Sequence, residues 1–275
     1  MYIAINQDFV KEEEASVDIK PWQMATQGCI FSECIRANAA KPLLLDRHFA
    51  SIQANAQILK FNLPKYFDIT FLSAQICGVL TRNKLFQAAT ATVTFIRSLS
   101  DNRTEIVITS EFAGDGPYEQ NRQGLLIDIF DEAYVTTHRP SQLDQHCQLV
   151  NAIAKASAID RHLNDMLLIT EQGFVVSSTE SDFFATRKGK LLTPPAELGS
   201  RHQVLSDIVI DLGRKLNYQV DCEALVMPED LLTLDEVFLC STAKGLQWVT
   251  GYKNHRFIHK DSKLLNDALN KLLIG

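Results

Sequence analysis

The chain has 275 residues, 46% of them hydrophobic and 22% charged, with a formal net charge of −6. That length suits one large domain or two modest ones, each able to bury a substantial core. Lys and Arg are scattered rather than clustered, which argues against a broad nucleic-acid surface and leaves room only for a small local basic site.

The opening "MYIAINQDFVKEEEASVDIK" turns acidic before any long apolar run, so no signal peptide is expected, and "KEEEA" reads as a solvated charge run. No segment approaches the roughly 18 apolar residues of a membrane span. The cysteines at 29, 34, 77, 147, 222 and 240 show no CxxC, and the histidines no HxH or HExxH. No metal site is expected, and the thiols read as buried or free in a reducing cytoplasm, where the chain is placed by default.

Strands and helices alternate. "YIAIN" is a short strand, and "LLLDRHFASIQANAQILKF" a helix with Phe49, Ile52, Ala56 and Leu59 on one face. "TVTFIRS" and "EIVITSEF" flank the polar turn "LSDNRT" and form a hairpin. The glycine-rich, polar "AGDGPYEQNRQ" marks a boundary, giving a smaller N-terminal α/β domain over 1–115, a linker over 116–123 and a larger domain over 124–275.

The strand "GLLIDIF" opens the second half. Leu149, Ala152, Ile153 and Ala156 then form one apolar helical stripe. Two hairpins follow, turning at Gly173 and Gly189. After Ser200 comes a strongly amphipathic helix in which Val204, Ile208, Leu212 and Leu216 step by four. "YQVDCEAL" and "DEVFLCST" are the last strands. There are no repeats, and the class is α/β or α+β.

Several segments, in this order, resemble the fold-type IV family of pyridoxal-phosphate enzymes. That family includes the branched-chain and D-amino-acid aminotransferases and aminodeoxychorismate lyase. "GCIFSECIRANAAKPLLLDRHFASI" is similar to its early motif and following helix. "LLITEQGFVVSSTESDFFATRKGKLLTPP" is similar to its hairpin pair ending in G-x-L-x-T-P-P, and "YQVDCEALVMPEDLLTLDEVFLCSTAKGLQWV" to its closing segment. The resemblance covers roughly residues 28–250. It implies two domains with a cofactor cleft between them, a D-amino-acid aminotransferase-like fold, and a homodimer.

The family's chemistry needs a lysine to condense with the cofactor aldehyde and shuttle a proton. The resemblance puts that lysine ten residues before the alanine of a helix motif whose end matches "NAIAKASA", with Ala154, Lys155 and Ala158 in register. The position is Asp144, which cannot form an imine. Lys155 lies eleven residues on, about 16 Å along a helix. Lys244, in the implied cofactor loop, is a weak substitute.

The acid beside the pyridine nitrogen corresponds to Ser177, and Glu180, three residues further, is expected to point elsewhere along a strand. The phosphate-binding arginine corresponds to Ser51, a loss of about 1.5–3 kcal/mol. The remaining phosphate contacts correspond to the backbone amides of Val204 and Leu205 and to Ser241 and Thr242, so an anion site can persist. Arg201 and His202 stand beside it and otherwise read as an exposed first helical turn. The aromatic of the early motif is also altered, to Ser32.

Other readings of these residues stay open. "SQLD" fits a helix cap, with Ser141 as cap and Asp144 facing the dipole. Cys147 and His146 are adjacent on a helix and badly placed to act as nucleophile and base.

Two functional classes follow. In one, a degenerate homologue without pyridoxal phosphate binds a small anion or a partner through the inherited cleft. In the other, an active pyridoxal-phosphate aminotransferase or aminodeoxychorismate lyase uses an unconventional amine. Neither implies nucleic-acid or membrane binding.

Overall fold

The computed structural model describes residues 1–14, 29–97, 103–136, 148–200 and 202–274. It divides into two compact units, Met1–Pro117 and Tyr118–Gly275. Asp144, with Ser141, His146, Cys147 and Arg201, lies outside the described residues, as does the turn at 98–102.

The first unit contains β1 (Tyr2–Ile5), β2 (Asp8–Lys11), β3 (Cys29–Asn38), β4 (Lys41–Pro42), α1 (Leu45–Ile58), α2 (Ile69–Arg82), β5 (Ala88–Arg97) and β6 (Thr104–Gly114). Its antiparallel sheet runs β2-β1-β6-β5-β3-β4. Along β5, Ala89, Ala91, Val93 and Phe95 are buried, the period of two that puts alternate side chains on one face. That face packs on Ile52 and Ala56 of α1 and on Leu72, Ile76, Val79 and Leu80 of α2.

Phe95 stacks on Phe31 at 4.5 Å and meets Phe67 edge-on at 5.3 Å. Each such pair adds roughly 0.5–1.5 kcal/mol beyond its buried area. The Asp68 side chain starts α2 by accepting the Phe71 amide at 2.7 Å. At the end of the unit, the buried Arg36 guanidinium donates to the carbonyls of Ala113, Gly116 and Pro117.

The second unit contains β7 (Leu125–Val135), α3 (Gln148–Asp160), β8 (Asp165–Thr170), β9 (Val175–Ser178), β10 (Asp182–Arg187), β11 (Lys190–Leu192), α4 (Val204–Lys215), β12 (Gln219–Asp221), β13 (Glu236–Ser241), β14 (Gly245–Tyr252), β15 (His255–Arg256) and α5 (Asp261–Ile274). Its sheet runs β12-β11-β10-β13-β14-β7-β8-β9, and β9 pairs back onto β10 through Ser177 and Asp182, closing a ring. Strands β8, β10 and β13 of that ring are buried along almost their whole length, on both faces, whereas β7 alternates buried with half-buried and exposed positions. Phe183, Val237, Leu239, Leu167 and Val249 share one core cluster.

The β10–β11 hairpin turns through Lys188 (φ 50°) and Gly189 (φ 77°), the two positive φ values of a tight two-residue loop. Helix α4 buries Val204, Leu205, Ile208, Val209 and Leu212, in line with its spacing.

Helix α3 departs from its sequence pattern. Leu149, Ala152, Ile153 and Ala156 are exposed, and Ala154 and Ala158 face the core instead. The reason is the size of what lies opposite. Phe130, Met166, Leu168 and Val176 already fill the space under the helix, so the small Ala154 and Ala158 are buried against them and Val150 packs partly buried beside them. No helix among the described residues is long and apolar enough to cross a membrane.

Candidate functional site

The second unit gathers polar side chains around the N-terminus of α4, where β9 and β13 end and β10 begins. Ser177, Ser178, Thr179, Ser181, Asp182, Ser206, Ser241 and Thr242 are all buried there. The turn between β9 and β10 is tied down by Asp165, whose Oδ1 accepts the Thr179 amide at 3.2 Å and its hydroxyl at 2.7 Å.

Asp182 opens β10 and is 1% exposed. Its Oδ2 accepts the backbone N–H of Gln203 at 2.9 Å and the Ser206 hydroxyl, capping α4 from a neighbouring strand. Its Oδ1 is buried with no hydrogen-bond partner among the described residues. Across the β10–β13 pair stands Cys240, whose thiol is pushed well up by burial, with the Asp182 charge adding to the effect. That cysteine is chemically quiet.

Gln203, just ahead of α4, uses both ends of its side chain. Its Oε1 accepts the Thr242 amide at 3.0 Å, and its Nε2 donates to the Glu180 carbonyl at 3.1 Å. One side chain thus spans the β9–β10 turn, the α4 N-terminus and the loop after β13. Tyr118 fastens that loop from behind, its hydroxyl donating to the Thr242 carbonyl at 2.9 Å. Gly245 has φ 70°, and a Cβ there would stand 2.5 Å from the Tyr118 ring, so the loop needs glycine on two counts.

Above the hydroxyl bed, Glu180 accepts from two lysines, Lys155 of α3 and Lys244 at 3.0 Å. Burial alone would raise its carboxyl, but the hydrogen bonds and charges of both lysines outweigh that and hold it below the usual value. His202 is raised, mainly by Asp207 at 3.9 Å, against burial and with Asp182 assisting.

Residues 31–252 match the family model described as amino-transferase class IV. The chain belongs to that family. A branched-chain aminotransferase of Thermoproteus uzoniensis, solved with norvaline, superposes with a TM-score of 0.89 at 19% identity, covering 100% of this chain and 95% of that one. The Escherichia coli branched-chain amino acid aminotransferase gives 0.85 at 20% identity over 99% and 94%. A Thermotoga maritima protein named a probable branched-chain-amino-acid aminotransferase is 21% identical over 253 residues, 92% of this chain and 88% of its own length. At these identities the structural likeness establishes the mixed α/β, fold-type IV architecture.

Within this class IV chain, Val204, Leu205, Ser241, Thr242 and Ser177 come together around Gln203 and Asp182. Ser51 belongs to the first unit, on α1, and donates to Glu33 Oε2 at 3.0 Å, while His48 Nδ1 lies 2.6 Å from Glu33 Oε1. The three resemble a serine–histidine–carboxylate set, but the hydroxyl is spent on the carboxylate rather than offered to the imidazole. Ser32 pairs with Thr94 across the sheet at 3.0 Å.

Glu180 corrects its expectation. It stands in the bend between β9 and β10 rather than in a strand, and it draws together the two lysines that the sequence treats as unrelated. The local sequence does not single out Asp182, Gln203 or Tyr118. Their bonds reach across 21, 39 and 124 residues, and only the Asp182 strand position carries even a weak local signal.

Proposed function

We propose that this chain is a class IV aminotransferase homologue that does not carry lysine-linked pyridoxal phosphate and uses the polar cluster of its second unit to bind a small anion. The observation that carries the reading is the shared Glu180 carboxylate, which holds the ammonium groups of both Lys155 and Lys244. An amine attacks an aldehyde only when neutral, and an ion-paired ammonium has no lone pair to offer.

The positions that correspond to the family's lysine, ring-nitrogen acid and phosphate arginine are Asp144, Ser177 and Ser51. That donor set does not fit the cofactor. It lacks the amine, it lacks the carboxylate that keeps the pyridine protonated, and it replaces the guanidinium with a hydroxyl engaged by Glu33.

Two lysines against one glutamate leave one positive charge in excess, which supports a monoanionic ligand. The family resemblance adds a homodimer, testable by light scattering. The test of the main reading is incubation with pyridoxal phosphate, borohydride reduction and peptide mapping. We expect no imine absorbance band and no reduced adduct on any lysine of the site.

The names of the relatives favour a second reading, a pyridoxal-phosphate aminotransferase of branched-chain amino acids. The wider resemblance extends it to an aminodeoxychorismate lyase. Either requires Lys244 to leave Glu180, and a borohydride-stable adduct mapped to Lys244 would establish it in place of the first.

A further inference from the structure

The N-terminus of a helix with free amides is a ready anion site, and the resemblance assigns the first turn of α4 and the loop at Ser241–Thr242 to a phosphate. In this chain the Thr242 amide of that set, and the Gln203 amide and Ser206 hydroxyl that flank Val204 and Leu205, are taken by its own groups. The Asp182 carboxylate sits on the Gln203 amide and the Ser206 hydroxyl. The Gln203 side chain takes the Thr242 amide and is anchored at its other end on the Glu180 carbonyl.

We infer that Asp182 and Gln203 close this site to phosphate. Asp182 brings a buried negative charge to the point where the helix dipole would attract one, and a phosphate dianion arriving beside it meets like charge in a water-poor setting. Gln203 removes a backbone donor that the phosphate would need. The two residues act separately, one by charge and one by occupancy, and each can be removed alone. The inference deepens the anion-binding reading by naming a ligand class that the site turns away. A ligand held by Lys155 and Lys244 would be a small carboxylate rather than a phosphate monoester.

The experiment is calorimetric titration of the full chain, as wild type, Asp182→Asn and Gln203→Ala, with inorganic phosphate and with pyridoxamine 5′-phosphate. The second probe has no aldehyde, so its binding is independent of imine formation and leaves the borohydride result to stand by itself. The expected result is no saturation of wild type up to about 10 mM, with at least about tenfold tighter binding in one or both variants. Gln203 is only half-buried, so its variant keeps the test alive should Asp182→Asn fail to fold. Submillimolar phosphate binding by wild type would overturn the inference. So would affinities within about threefold of wild type in both variants, including no binding by any of the three.

Discussion

Two carboxylates in the second unit cap helices from the strand pair β10–β13, and they differ in how well they are satisfied. Glu236 accepts the amides of Lys260, Asp261 and Ser262 at 3.0, 2.6 and 3.1 Å, and the Ser262 hydroxyl as well, so both of its oxygens are used at the start of α5. Asp182 spends one oxygen on α4 and leaves the other buried and unpaired among the described residues. Glu236 is paired across the sheet with Thr186, four residues along β10 from Asp182, or about 13 Å at ~3.3 Å per residue. The same device therefore serves at two ends of one strand pair. Where the bonding is complete it is structural; where it is incomplete it borders the hydroxyls and lysines of the candidate site. Unsatisfied groups of this kind concentrate where a fold gives up stability for a task.

The largest effect should come from Glu236→Gln. The amide can accept through only one atom, and its own N–H groups would be turned toward backbone donors. Leaving buried donors unmatched costs about 1–3 kcal/mol each, so a loss of about 3 kcal/mol is expected in urea unfolding at an unchanged m-value. A loss under about 1 kcal/mol would show that the crowding of donors around Glu236 contributes little.

Asp182→Asn should cost far less. The remaining oxygen can keep the Gln203 and Ser206 bonds, the amide nitrogen replaces the orphaned oxygen, and a buried charge disappears. Removing half-compensated buried charge is often neutral, so the expected change is within about 1 kcal/mol of wild type, in either direction. Equal losses for the two variants would erase the contrast between the two caps.

The same contrast marks what the sequence makes legible. Helix α4 and the hairpins at Gly173 and Gly189 follow from spacing and turn chemistry within a few residues, and the structure has them there. Helix α2 has a readable start in Asp68 and a readable stripe in Leu72, Ile76 and Val79, although the alternation pattern did not single it out. Helix α5 has no comparable local start, because the carboxylate that caps it lies 24 residues or more away. The buried face of α3 differs from the one its spacing predicts because it is set by Phe130, Met166 and Leu168, not by the helix itself. As Ser51 does in the first unit, Ser177, Val204, Leu205, Ser241 and Thr242 in the candidate site of the second unit come from family resemblance. What fills the space between the last four, Gln203 and Asp182, emerges only when distant segments are brought together.

The smallest effect should come from Glu180→Gln, and its interest lies in the pH dependence. The folded-state carboxyl lies below its ordinary value, so the ion pairs add stability above the unfolded carboxyl's pKa, and that stability is lost as pH falls through the folded value. The side chain is 44% exposed, and water screens the pairs, which limits the contribution to about 1 kcal/mol or less at low salt. Wild type minus Glu180→Gln should therefore give a stability difference that is flat near neutrality, shrinks on acidification below the usual carboxylate range, and fades in about 1 M salt. The two lysines left without their carboxylate should also raise the affinity for a small carboxylate such as acetate, because their excess positive charge grows from one to two. A difference that grew on acidification, or weaker acetate binding in the variant, would mean that Glu180 does not restrain Lys155 and Lys244. The case for an anion site built on those two lysines would then fall.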